Sequence, residues 1–106
     1  AVINSSFDDS GGKGTNYMID LSAGATGQIS GNWFVQGYDK ENYSAFIAVA
    51  PEGRINPSAG LTIAGNDARF APGIERSSAF VADWSGEALA IGQNTLGAGL
   101  KRYEKR

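Results

Sequence analysis

Ser77-Ser-Ala-Phe-Val-Ala-Asp-Trp-Ser-Gly-Glu-Ala-Leu-Ala-Ile-Gly92 is the stretch that decides how the fold is read. Ser78, Phe80, Ala82 and Trp84 alternate with Ala79, Val81 and Asp83, the period of a strand with two unlike faces. Ser85-Gly86 supplies a tight corner. Glu87 to Gly92 continues as a second strand and Gly97 to Tyr103 as a third.

The same pattern recurs upstream. Tyr17, Ile19 and Leu21 share one face of a strand whose other face carries Asp20. Ser22 to Gly27 is turn-rich, and Gln28 to Val35 returns with Ile29, Trp33 and Val35 in phase, which predicts an antiparallel hairpin. Phe34 is opposite in phase to Trp33, so one of the two faces out of the core. Tyr43 to Ala50 is nearly continuous in apolar residues and reads as a central strand. Leu61–Ala64 and Ala68–Ala71 flank Gly65-Asn-Asp67, which predicts another hairpin. No segment shows sustained helical spacing. Residues 1–16, polar and rich in glycine and serine, read as a flexible or loop-like lead-in, and residues 17–106 as one domain. The expected fold is all-β: a single antiparallel meander barrel of about eight short strands, with a β-sandwich as the alternative.

Composition narrows the chemistry. A chain of 106 residues is long enough for one modest core, and its 15 glycines follow no period. The formal net charge is -2 with both signs mixed, so no basic face for nucleic acid is expected. The cationic end, Lys101 to Arg106, reads as a solvated strand and tail. No apolar run approaches the length of a membrane span, and no membrane insertion or signal peptide at Ala1 is expected. Absence of cysteine removes disulfides, thiolate metal sites and thiol nucleophiles. Absence of histidine removes the usual general base and the commonest metal ligand.

Carboxylates remain. Asp83 and Glu87 are the nearest pair around an aromatic, and they read as outward residues beside a turn rather than as an acid–base pair. Asp8-Asp-Ser-Gly-Gly-Lys-Gly-Thr15 fails the phosphate-loop pattern, because Gly14 follows Lys13 where Ser or Thr is required. It also lacks the alternating ligands of a calcium loop. The expectation is no catalytic residue, no metal and no cofactor.

Asp20-Leu-Ser-Ala-Gly-Ala-Thr-Gly-Gln-Ile-Ser30 and Phe80 to Gly92 resemble the small barrel domains of transferrin-binding protein B and related bacterial surface lipoproteins. The resemblance implies a non-enzymatic antiparallel barrel, on a secreted or surface protein, that supports or contributes a protein-binding surface. It transfers no functional residue. Within that frame, the candidate protein contacts are Tyr38, Tyr43, Arg54 and Asp67, on predicted loops and turns. The alternative is a small-molecule pocket at Trp33 or Trp84, since Gly31-Asn-Trp33 resembles the Gly-x-Trp of avidins and lipocalins. A hydrolase using Asp83 and Glu87 ranks last.

Overall fold

In the computed structural model, which describes residues 1–106, the chain winds through four coils of three short strands and forms no helix. The first coil holds β1 (Val2–Ile3), β2 (Ser6–Asp8) and β3 (Ile19–Leu21). The second holds β4 (Gln28–Ser30), β5 (Trp33–Gln36) and β6 (Ala45–Val49). The third holds β7 (Thr62–Ala64), β8 (Asp67–Phe70) and β9 (Ser78–Asp83). The fourth holds β10 (Ala90–Ile91), β11 (Thr95–Leu96) and β12 (Leu100–Lys105).

Every strand pairs, in parallel, with its counterpart in the next coil, which builds three four-stranded sheets: β1-β4-β7-β10, β2-β5-β8-β11 and β3-β6-β9-β12. Parallel neighbours cannot be joined by a tight turn. Here the chain makes the crossover by passing through the other two sheets. The product is a three-sided parallel coil, open at both ends.

This overturns the antiparallel barrel, and with it the sandwich. The predicted hairpin partners β3 and β4 lie in different sheets, and so do β7 and β8 across Gly65–Asp67 and β9 and β10 across Ser85-Gly86. Alternation reports which face a side chain takes; it is blind to the partner strand and its direction. Residues 1–16 contain two strands of the first coil, β1 and β2.

Like residues stack inside. Val2, Ile29, Ile63 and Ile91 form one column, and Ile19, Ile47, Val81 and Tyr103 another. A third runs Phe7, Phe34, Ala68, Leu96. The Phe7 and Phe34 rings stack nearly parallel with centroids 5.1 Å apart, and Phe80 meets Phe34 edge-on at 5.6 Å. Consecutive residues Phe46-Ile47 and Phe80-Val81 all belong to the core, which explains the nearly unbroken apolar run of Tyr43–Ala50. A smaller buried cluster, Ala45, Ala79 and Ala82, packs beneath Tyr17 and Trp84.

The corner between the first and second sheets repeats through the first three coils. Asn4, Gly31 and Gly65 occupy the same place and all take positive φ (50°, 66° and 71°), where a glycine costs least. The next residue carries the bonds. Asn32 Oδ1 accepts from Ser5 N (2.9 Å), Asn66 Oδ1 from Asn32 N (3.0 Å) and Asn94 Oδ1 from Asn66 N (3.0 Å). Their Nδ2 groups donate back to Val2, Ile29 and Ile63 carbonyls at 3.0–3.2 Å. This asparagine ladder satisfies corner backbone groups that the sheets cannot reach.

Candidate functional site

The corner between the second and third sheets is built differently. Its connections are residues 9–18, 37–44, 71–77 and 97–99, of unequal length and composition. Two polar knots fasten them. Lys40, whose side chain is fully buried, pairs with Asp9 at 2.5 Å and also donates to Asn16 O. The other oxygen of Asp9 accepts from Gly37 N, and Thr15 Oγ1 donates to Asp9 Oδ2 at 3.2 Å. Arg76 donates to Gln36 Oε1 (2.9 Å), Gly37 O (3.1 Å) and Tyr38 O (3.0 Å), and its guanidinium stands 5.1 Å above the Tyr43 ring.

Beside this wall lies a groove of about 580 Å³ on the outer face of the second sheet. Trp33 on β5 borders it with 42 % of its surface exposed. Val35, Phe70, Pro72 and Ile74 give it an apolar lining; Asp8, Ser10 and Arg69 give it polar edges. Register explains the grouping. Trp33 sits between Ser6 and Asp67, and Val35 between Asp8 and Arg69, so residues distant in sequence share one face. Ser10 hydrogen-bonds the Asp8 carboxylate, its backbone N at 2.9 Å, and holds that carboxyl below its usual range. Arg69 forks onto Asp67, Nε to Oδ1 at 2.9 Å and Nη2 to Oδ2 at 2.7 Å.

The residues singled out from sequence fall in several places. Tyr38 is 80 % exposed and Tyr43 half exposed, both on the 37–44 loop. Asp67 lies on β8 in register with Trp33. Arg54 lies on the connection from the third sheet back to the first, where its Nε donates to Trp84 O at 2.7 Å. Trp33 borders the groove. Trp84 is in another sheet's cluster, with Arg106 5.3 Å above its ring, so the two tryptophans form no common pocket. Asp83 is fully buried and accepts from Tyr103 Oη (2.6 Å) and Ser85 N (2.8 Å), while Glu87 accepts from Ser58 N (3.0 Å). Asp83 therefore does not face outward as its place beside the corner suggested, and both carboxylates accept hydrogen bonds within the fold.

Sequence reasoning missed Asp8, Ser10, Arg69, Phe70 and Ile74. For Arg69 and Phe70 the signal is the repeat Ile29-Ser-Gly-Asn32, Ile63-Ala-Gly-Asn66, echoed at Ile91-Gly-Gln-Asn94; Asp8, Ser10 and Ile74 lie outside it. Aligning those units places Trp33 beside Asp67 and Val35 beside Arg69 before any coordinates are known. Comparison with protein-family models, with curated proteins and with solved structures returns no match, so the transferrin-binding-protein-B resemblance is neither supported nor contradicted by kinship, and the groove is read from its geometry.

Proposed function

We propose that this chain is a non-enzymatic binding module of a bacterial secreted or surface protein, and that it holds a protein partner in the groove at Trp33. The surface location is the part carried by the sequence resemblance. The observation that carries the binding reading is Trp33 itself: a large ring left 42 % exposed at the rim of an apolar groove, on a strand whose other side is locked into the core. Exposed Trp, Tyr and Arg are the side chains that dominate binding energy at protein interfaces. Tyr38 and Tyr43, exposed on the 37–44 loop that follows the Trp33 strand, are further candidate contacts outside the groove itself. The bonded corner keeps these groups in place without the partner, which lowers the ordering cost of association.

The test is capture of a partner from the native milieu by the intact chain and by Trp33→Ala. Retention by the first and loss by the second, with unchanged melting, is the expected result. Equal retention by both overturns the groove as the contact site. A small organic ligand is the second reading, favoured by the groove's volume of about 580 Å³, which falls in the range of small-molecule sites.

A further inference from the structure

We infer that the partner enters this groove with a basic side chain, Lys or Arg, laid across the Trp33 ring toward Asp8, and sets an apolar residue beside it against Phe70 and Ile74. The inference rests on the groove being the contact site. Trp33, Tyr38, Tyr43 and Trp84 are all partly or largely exposed, and of these Trp33 alone borders the groove. Two are already covered by the chain's own cations, Tyr43 by Arg76 and Trp84 by Arg106. Trp33 has no guanidinium or ammonium of this chain on its face.

Charge at the groove points the same way. Arg69 is the cation on its edge, and both Asp67 oxygens hold it in a fork, so the pair contributes no net charge. Asp8 is exposed, makes no ion pair, and is hydrogen-bonded by Ser10. Ser10 keeps that carboxylate ionised into more acidic solution than usual. What remains is one uncompensated negative charge beside an uncovered ring and an apolar trough. An ammonium or guanidinium on a hydrocarbon stem satisfies all three: the head meets the ring face and the carboxylate, and the stem lies on Val35. An acidic segment meets Asp8 unfavourably and finds Arg69 occupied. A neutral sugar can cover the ring yet leaves the charge unmet.

The experiment is a fluorescence titration of Trp84→Phe, in which Trp33 is the only tryptophan left of the two. The probes are three short capped peptides that carry leucine after arginine, citrulline or glutamate, with an N-acetylglucosamine oligomer, a neutral sugar, as a fourth. The arginine peptide is expected to perturb Trp33 emission at roughly ten-fold lower concentration than the citrulline peptide, with the glutamate peptide weaker still. Asp8→Asn and high salt are expected to erase most of that difference. Should Trp84→Phe fold poorly, calorimetric titration of the unaltered chain reads the same comparison. Equal binding of the arginine and citrulline peptides overturns the cation while leaving the groove reading intact. Tighter binding of the N-acetylglucosamine oligomer overturns the peptide. Failure of all four probes overturns the inference, and the Trp33→Ala capture experiment then judges the groove separately.

Discussion

Two corners of the same coil follow opposite rules. At the first, between the first and second sheets, successive turns repeat a left-handed residue followed by an asparagine-ladder position, and the bonds point inward and along the stack. At the second, between the second and third sheets, every connection differs in length, and the bonds tie one loop to another. Residues that must stack tolerate little variation, because each serves the coil above and the coil below. Connections that leave the stack are free to vary, and there the chain presents Tyr38 and Tyr43 and walls the groove. One corner sets the fold; the other is available for recognition.

Breaking the ladder should produce the largest effect. Asn66 is buried, and its side chain accepts from Asn32 N and Nδ2 while donating to Ile29 O and Asn94 Oδ1 at 2.9–3.1 Å. Asn66→Ala orphans groups in two neighbouring coils at once, and is expected to cost about 3 kcal/mol in urea unfolding. A loss below about 1 kcal/mol means that water replaces the ladder and that the first corner is less demanding than its repetition suggests.

The loop knot should cost less. Removing one partner of a buried ion pair can cost about 3–5 kcal/mol when the remaining charge is trapped. In Lys40→Met, however, the orphaned Asp9 can reach water by opening residues 9–16 and 37–42 alone. The free energy of that local opening caps the penalty at about 2 kcal/mol. Hydrogen exchange is expected to quicken in these loops and stay slow in β6 and β9. Uniform quickening through the sheets shows instead that the second corner also holds the stack.

Some strands were legible in the sequence, but β1, β2 and β11 were not, Gln28–Val35 is two strands and not one, and no pairing partner was legible. Ser78–Asp83 and the opposed phases of Trp33 and Phe34 were read correctly from local alternation: Phe34 is fully buried and Trp33 is out. Pairing depends on what lies between strands, and the unequal second-corner loops spread the repeats to irregular spacings. That irregularity concealed the period, so Gly65-Asn-Asp67 resembled a hairpin turn when Asn66 is a ladder residue. The site was half legible for the same reason. Trp33 stands out as a residue type, whereas Asp8 and Arg69 become its neighbours only through parallel register.

A bond at neither corner offers a control of intermediate size. Tyr103, on β12, donates to the buried Asp83 at 2.6 Å, and desolvation followed by that hydrogen bond pushes its phenol up to about 12 from 10.0. A proton held more tightly in the folded state stabilises it fully below the unfolded value near 10. That contribution disappears as pH rises from about 10 to about 12. Since Tyr103 is partly exposed, about 1 kcal/mol is expected, and Tyr103→Phe should lose it at neutral pH and flatten the alkaline part of the stability curve. An unchanged alkaline slope in the variant assigns the transition to another group.

Trp33→Ala completes the series, with the smallest expected change in stability and the largest expected loss of binding. The interior column at this level belongs to Phe34, which stacks on Phe7 and meets Phe80 edge-on, so truncating the neighbouring ring leaves no internal cavity. The surface removed is half open already, and a change within about 0.5 kcal/mol is expected. An exposed ring continuous with an apolar groove is the kind of patch that marks a contact surface. If Trp33→Ala instead costs as much as Asn66→Ala, the ring is holding Val35 and the groove wall in place. The outer face of the second sheet then belongs to the fold, and the division between the two corners fails at the residue on which it matters most.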